Sequence, residues 1–330
     1  VDKESRVKIL IVKTSSMGDV IHAIPAASDI VRRFPGAEIH WLVEAPFSGI
    51  VEACPLVKKV HCCRVRGWRK KIFSPQTWRE IAALRRTLRA EHFDLVIDLQ
   101  GLIKSAVLAK FAGAPVAGYD SDSIREPAAS CLYQKKYPVS REQSAISRCR
   151  ALTAAALGFD APDDEPRFVW RAPQEGDGCL QDTVIFFANT SRDTKLWPEE
   201  KWTALGRVLL AQNLNILLPW GSDAERSRAE RLAKNLGKGA AVLPRKTVSE
   251  LITLILRSKA VVGLDTGMTH LSAALNVPTV AIFRDYPIEL VPLSGRGPKM
   301  ALGGVNQCPE VEEVAAALKR VLNVDTKTDL

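Results

Sequence analysis

Apolar residues in this chain fall into short runs separated by longer amphipathic stretches. In the first half, Val7–Val12, Glu38–Val43, Lys59–Cys63, Asp94–Leu99 and Pro115–Tyr119 have the length and β-branched content of strands. Helical patterns lie between them, as at Asp19–Phe34 and Trp78–Glu91. In the latter, Ile81, Leu84 and Leu88 recur at spacings of three and four and make one apolar face. The stretch 158–182 (GFDAPDDEPRFVWRAPQEGDGCLQ and its neighbours) is rich in Pro, Gly and Asp and reads as a linker. The alternation then resumes. Strands are expected at Thr183–Phe187, Asn215–Trp220, Ala240–Leu243, Ala260–Asp265 and Thr279–Phe283. Helices are expected at Pro198–Gln212, Asp223–Leu236, Val248–Arg257, Met268–Leu275 and Glu310–Leu322.

Strand–helix alternation of this kind gives an α/β protein with parallel sheets covered on both faces. The 330 residues suit two such domains. The expected organisation is a first domain over 1–160, a linker over 161–182, a second domain over 183–308 and a C-terminal helix and tail over 309–330. The two doubly wound domains are expected to face a central cleft. Ligands of such sheets bind beyond the carboxyl ends of the strands, so residues just after strands carry the interest.

Composition narrows the function. Apolar content of 46% and charged content of 25% suit a globular protein, and no apolar run is long enough for a membrane span. The opening VDKESRVKILIV reads as a strand rather than a signal sequence, which sets a cytoplasmic expectation. Seven cysteines at irregular spacing, without a CxxC pair, read as reduced and mostly buried thiols. The net charge of +9 points to an anionic partner. It is concentrated: from Cys54 to Arg79 there are eight Lys/Arg and no Asp/Glu. That stretch centres on RVRGWRKK (64–71), which reads either as a solvated loop anchored by Trp68 or as a grip on phosphate. Nucleic acid is not the expected partner, since aromatics are few and no RNA-binding or helix-turn-helix signature occurs.

Four segments carry candidate chemistry. In KTSSMGDVIH (13–22) a strand passes through a polar turn into a helix, with Asp19 at the handover. Asp19 is either a helix cap or a catalytic base aimed into the cleft, and Ser15 and Ser16 are also available as caps. The lone Gly18 does not make the GxGxxG turn of a dinucleotide-binding dehydrogenase. GLDTGMTHLSAAL (263–275) repeats the strand–turn–helix grammar. Its helix start can hold phosphate oxygens, Thr266 can add a hydroxyl, Gly267 allows close approach, Asp265 can accept from a sugar hydroxyl, and His270 sits one turn in. ANTSRDTKLWPEEKW (188–202) supplies Thr190, Ser191, Arg192 and Lys195 after a strand, and its Lys can balance a diphosphate leaving group. Asp120 and Asp122 in YDSDS (119–123) read as a turn rather than a metal pair, and Arg125 follows in IREP.

Read together, these segments resemble the ADP-heptose:lipopolysaccharide heptosyltransferases, in particular their heptosyltransferase I branch. RVKILIVKTSSMGDVIHAIPA, DLVIDLQGLIKSA (94–106), IREP, TKLWPEEKW, LPWGS (218–222) and DTGMTHLSAAL occur in the family's order and at similar spacing. The tract after the last predicted strand, FRDYP (283–287), is shorter and more charged than the family's.

The resemblance implies a GT-B fold of two Rossmann-like domains, with acceptor on the first and nucleotide sugar on the second. It implies inverting transfer of L-glycero-D-manno-heptose from ADP-heptose to Kdo of Kdo-lipid A. Asp19 matches the family's catalytic base, with Lys195 supporting the leaving group. Thr190, Ser191, Lys195, Glu225, Asp265, Thr266, Gly267 and His270 match donor positions. Arg66, Arg69, Lys70 and Arg125 match acceptor-side positions. No metal and no obligatory cofactor is implied, ADP-heptose being a substrate. The implied location is the inner face of the inner membrane of a Gram-negative bacterium, reached through basic residues. The rival readings are a GT-B transferase or epimerase with another nucleotide sugar, and a non-catalytic anion-binding protein.

Overall fold

The computed structural model describes residues 7–171, 180–190 and 192–324. The chain divides into two units, Val1–Arg171 and Ala172–Leu330. In the first, β1 (Lys8–Val12), α1 (Met17–Arg33), β2 (Glu38–Glu44), α2 (Ser48–Glu52), β3 (Val57–Cys63), α3 (Val65–Lys70) and α4 (Pro75–Ala90) come first. They are followed by β4 (Leu95–Asp98), α5 (Ile103–Lys110), β5 (Val116–Tyr119), β6 (Lys135–Tyr137) and α6 (Ala145–Leu157). In the second, β7 (Leu180–Phe187), α7 (Glu199–Leu210), β8 (Asn215–Leu218), α8 (Asp223–Leu236), β9 (Ala240–Val242) and α9 (Val248–Arg257) come first. They are followed by β10 (Ser258–Leu264), α10 (Gly267–Ala274), β11 (Thr279–Phe283), β12 (Lys299–Gly303) and α11 (Val311–Asn323).

Each unit is built on a six-stranded sheet. The orders are β3-β2-β1-β4-β5-β6 and β12-β11-β10-β7-β8-β9, with every pairing parallel. Each chain of connections reverses direction once. The reversal lies between β1 and β4 in the first sheet and between β10 and β7 in the second. At such a switch point the loops leaving two neighbouring strands part and open a crevice.

The central strands have no polar face because helices cover both sides. Ile9, Leu10, Ile11 and Val12 of β1 are all fully buried. In the second unit one core cluster joins Val262 and Leu264 of β10, Val280 and Ile282 of β11, Trp202 of α7 and Leu318 of α11. Trp197 and Trp202 meet edge-to-face at 5.1 Å within it. The C-terminal helix is therefore part of that unit's core. In the first unit, Arg150 of α6 grips Asp29 of α1 through two bonds (2.7 and 3.0 Å) and also reaches Asp164 at 2.6 Å. Gly158, at φ 76°, ends α6 in the left-handed conformation that a side chain disfavours.

Most expected elements appear within a few residues of their bounds, and Asp223–Leu236, Val248–Arg257 and Thr279–Phe283 coincide with helices α8 and α9 and strand β11. The basic stretch read as a loop is instead largely helical, Val65–Lys70, despite Gly67. Strands β6 and β12 were not among those expected: KKY is short and exposed, and KMALG is only partly buried, so neither shows an apolar run. Within the expected linker, residues 161–171 lie on the first unit. The Arg171 amide donates to the Ala53 carbonyl (2.8 Å), and the Ser28 hydroxyl donates to the Arg167 carbonyl (2.9 Å). Cys54, Cys63 and Cys149 are buried free thiols, whereas Cys62 and Cys131 are exposed and Cys308 is half-buried, so the thiols are less uniformly buried than expected. Cys179 lies outside the described residues. Among the described residues no helix is long and apolar enough to cross a membrane.

Candidate active site

In the first unit the switch-point crevice is built by the residues after β1 and β4. Gln100 Oε1 accepts from the amides of Thr14 (2.9 Å) and Ser15 (3.0 Å), fixing the turn that follows β1. Gln100 is itself held by Asp98, whose Oδ1 accepts from the Gln100 amide at 2.9 Å. Asp98 is fully buried and also accepts from Ser105 Oγ (2.8 Å) and Tyr133 OH (2.7 Å). Burial pushes its carboxyl up despite those donors. Lys104 Nζ donates to Ser15 Oγ at 3.1 Å.

The N-cap of α1 is Ser16, and Asp19 is the third residue of the helix. Asp19 Oδ2 accepts from both the amide and the hydroxyl of Ser16, each at 2.8 Å. Asp19 is thus not the N-cap itself but the acidic partner of the Ser16 cap. Burial alone would raise its carboxyl. The Lys13 ammonium, the two Ser16 bonds and His22 outweigh burial and hold it below the ordinary value. Lys13 is buried and donates to the Leu99 carbonyl at 2.8 Å. The result is an ionised carboxylate, half-buried, at the carboxyl edge of β1.

The basic residues lie on the same edge. Arg66 of α3, just after β3, stands over the Phe47 ring at 5.9 Å, just after β2. Arg66, Arg69 and Lys70 are exposed, and so is Arg125, which follows β5. Asp120 accepts from the Ser123 amide (2.9 Å) and hydroxyl (2.5 Å), as the turn reading requires.

In the second unit the switch point lies between β10 and β7, and a Lys–Asp–His group spans it. Lys195, after β7, bonds the Asp265 carboxylate through Nζ, and it also bonds the Asp265 carbonyl at 3.2 Å. The other carboxylate oxygen of Asp265 meets His270 Nε2 at 3.1 Å. Burial opposes the charge on Asp265, but His270 and Lys195 together hold its carboxyl below the ordinary value. Thr266 is the N-cap of α10 and Gly267 its first residue, and the Thr266 side chain does not cap the helix. The start of α10 therefore presents the positive end of its dipole at the edge where Lys195 arrives. Gly263 in β10 permits this closeness. A Cβ there would lie 2.2 Å from Thr269 Oγ1, which bonds the Leu264 carbonyl at 2.6 Å.

Thr190 is half-buried on the loop after β7, and Ser191 lies outside the described residues. Glu225 sits at the start of α8 and accepts from the amides of Gly221 (2.7 Å) and Ser222 (3.1 Å). Its carboxylate shapes the loop after β8 as well as facing solvent.

Several residues at these edges escaped the reading of the sequence. Lys13, Gln100, Asp98 and Lys104 hold the Asp19 turn, yet the last three lie about 80 positions from it in the chain. The signal available was their place at or shortly after the carboxyl ends of β1 and β4. Asp285, in the FRDYP tract, accepts from Thr194 Oγ1 at 2.6 Å and lies 3.5 Å from Arg192 and 4.0 Å from Lys195. The divergent tract thus joins the Lys195 loop.

A separate group lies at the opposite end of the first sheet, around the C-terminus of α4. His40 Nδ1 is 3.1 Å from His61 Nε2, and Glu91 stands beside them. His40 and His61 are 21 residues apart in the chain and are brought together by the pairing of β2 with β3. Lys8 and Lys59 take the Glu91 carboxylate, and Lys58 and His40 take that of Glu38. The carboxylates are thus committed to ammonium and imidazole groups, and the cluster reads as a polar anchor.

Comparison with known proteins accords with this geometry. The family model described as glycosyltransferase family 9 (heptosyltransferase) matches residues 81–319. Lipopolysaccharide heptosyltransferase 1 of Pseudomonas aeruginosa is 41% identical over 278 residues, covering 84% of this chain and 78% of the relative. The solved structure of E. coli heptosyltransferase WaaC with ADP is 35% identical and superposes with a TM-score of 0.85, covering 95% of this chain and 98% of that one. The same enzyme with ADP-2-deoxy-2-fluoro heptose gives a TM-score of 0.81 at 35% identity, with the same coverage of both chains. Two parallel six-stranded sheets, each with its charged group at the switch point, are the frame of a GT-B enzyme, and this chain belongs to glycosyltransferase family 9, the heptosyltransferases.

Proposed function

We propose that this chain transfers L-glycero-D-manno-heptose from ADP-heptose to a hydroxyl of Kdo on Kdo-lipid A, with inversion. The observation that carries the reading is the pair of charged switch points, one offering a held carboxylate and the other a lysine beside a free helix start. The similarity to heptosyltransferase 1 and to the ADP-bound structure supplies the donor and acceptor classes.

In this reading Asp19 takes the proton of the Kdo hydroxyl as that oxygen attacks the anomeric carbon. The bond from that carbon to the diphosphate breaks on the opposite face, and ADP leaves. A positioned base contributes roughly 10²–10⁴ in rate. The charges that keep Asp19 ionised also weaken it as a base. The diphosphate's developing charge falls to Lys195 and the first turn of α10, the kind of preorganised stabilisation that dominates many transfers. Asp265 and His270 orient Lys195, and Thr190 and Glu225 line the donor side. Arg66, Arg69, Lys70 and Arg125 meet the acceptor's carboxylate and phosphates. The reading assigns no metal and no cofactor. Its acceptor places the protein on the cytoplasmic face of the inner membrane.

The test is product mass. Incubation with ADP-heptose and Kdo-lipid A is expected to add one heptose to the acceptor. ADP-glucose or a UDP-sugar offered in its place is expected to add nothing. Efficient transfer from those donors would assign a different GT-B activity.

A further inference from the structure

The turn between α3 and α4, together with the first turn of α4, exposes three large apolar side chains, Ile72, Phe73 and Trp78. Phe73 is 95% exposed, Trp78 57% and Ile72 50%. Single exposed apolar residues are ordinary, but a contiguous group containing a nearly bare Phe marks a surface that meets something apolar. The turn is also framed by hydrogen bonds. Trp78 Nε1 donates to the Ile72 carbonyl (2.9 Å), and the Ser74 amide and Thr77 hydroxyl donate to the Lys71 carbonyl (3.0 and 2.8 Å). Behind it, Trp68 Nε1 donates to Glu80 Oε2 at 2.9 Å, tying α3 to α4. The fold therefore holds Phe73 outward rather than leaving a slack loop that could bury it.

The flanks are basic. Arg64, Arg69, Lys70, Lys71 and Arg79 are all exposed, and the nearest acid in sequence, Glu80, is engaged by Trp68 and Gln76. An aromatic tip ringed by cations matches the two layers of an anionic membrane surface: headgroup phosphates outside and acyl chains just beneath. Trp favours the boundary between the two. We propose that this turn is a membrane anchor, inserting Phe73, Ile72 and the Trp78 ring into the interface of an anionic bilayer while the flanking Arg and Lys bind its phosphates. The proposal rests on the functional reading in that the acceptor is itself membrane-borne. It goes beyond it in assigning the apolar side chains to the bilayer rather than to the acceptor.

The experiment is sedimentation of this chain with vesicles of phosphatidylglycerol and phosphatidylethanolamine that contain no acceptor. Wild type is expected to bind, more weakly as salt rises, and the double variant Ile72→Ser, Phe73→Ser to bind at least about tenfold more weakly. Lipids brominated on their acyl chains are expected to quench a part of the tryptophan fluorescence that Trp78→Phe removes. Wild-type binding in the double variant, or no binding by wild type, would overturn the anchor. Transfer to detergent-dispersed acceptor is expected to be unchanged in the double variant, which also shows that it is folded. If even wild type failed to transfer, the functional reading would fall while the vesicle result still decided the anchor.

Discussion

Asp19 illustrates how one side chain serves two ends. Its bonds to Ser16 complete the start of α1, and the same bonds fix the carboxylate at the edge of β1. Position makes the cap and base readings compatible rather than choosing between them: at the third residue of the helix Asp19 supports the cap without occupying it. Burial pushes its carboxyl up, and Lys13, foremost among the groups that oppose burial, keeps it ionised. In the proposed role of base it acts unprotonated, so transfer is expected to be lost as pH falls through its depressed pKa. Lys13→Met removes a lowering influence, and the acid limb of kcat/KM is expected to move to higher pH. A pH–rate profile identical to wild type would contradict that coupling. The carboxylate itself was legible because an Asp between strand and helix stands out. Lys13 was not singled out, because a Lys at a strand's end is usually solvated, and only its bond to the Leu99 carbonyl explains its burial.

At the scale of elements, the placing of both charged groups depends on close contact between helices and sheet. Gly263 lets α10 begin tightly against β10. Gly263→Ala drives a methyl into Thr269 and is expected to cost about 1–3 kcal/mol of stability and to lower transfer by displacing Thr266 and Gly267. Urea unfolding measures the first, and an unchanged midpoint would show that the helix start yields freely. On the other unit, Arg150 joins α1 and α6 through a buried two-point bond to Asp29, with side-chain exposures of 4% and 2%. Arg150→Ala leaves buried Asp29 with the longer 4.0 Å contact to Arg32 and is expected to cost about 3 kcal/mol, read by the same method. The helices and central strands were legible because covered parallel strands are continuously apolar and amphipathic helices keep a period of three to four. Strands β6 and β12 were not, because edge strands lack that apolar signature. α3 was hidden by Gly67 and by a run of charge that reads equally well as a loop.

For the molecule as a whole, the two sheets repeat one design, a charged group at each switch point, and the second histidine-rich group stands apart from both. There, burial holds the His61 ring down to about 4 from the ordinary 6.5, with His40 beside it. The unfolded chain therefore binds protons more readily between those values, so stability is expected to fall as pH drops from about 6.5 toward 4. Glu91, lowered to about 2 because Lys59 and Lys8 outweigh its burial, adds a further loss as pH falls below 4.5 toward that value. Thermal unfolding across pH 4–8 checks this, with the slope expected to flatten in His61→Gln; an undiminished slope would place its source elsewhere. The central claim, heptosyl transfer with Asp19 as base, is tested most directly by ADP release from ADP-heptose, with and without Kdo-lipid A, in wild type and Asp19→Asn. The account predicts acceptor-dependent release in wild type and a loss of roughly 10²–10⁴ in the variant, with donor affinity retained. Acceptor-dependent release at the wild-type rate in Asp19→Asn would contradict it and leave Asp19 as the partner of its helix cap.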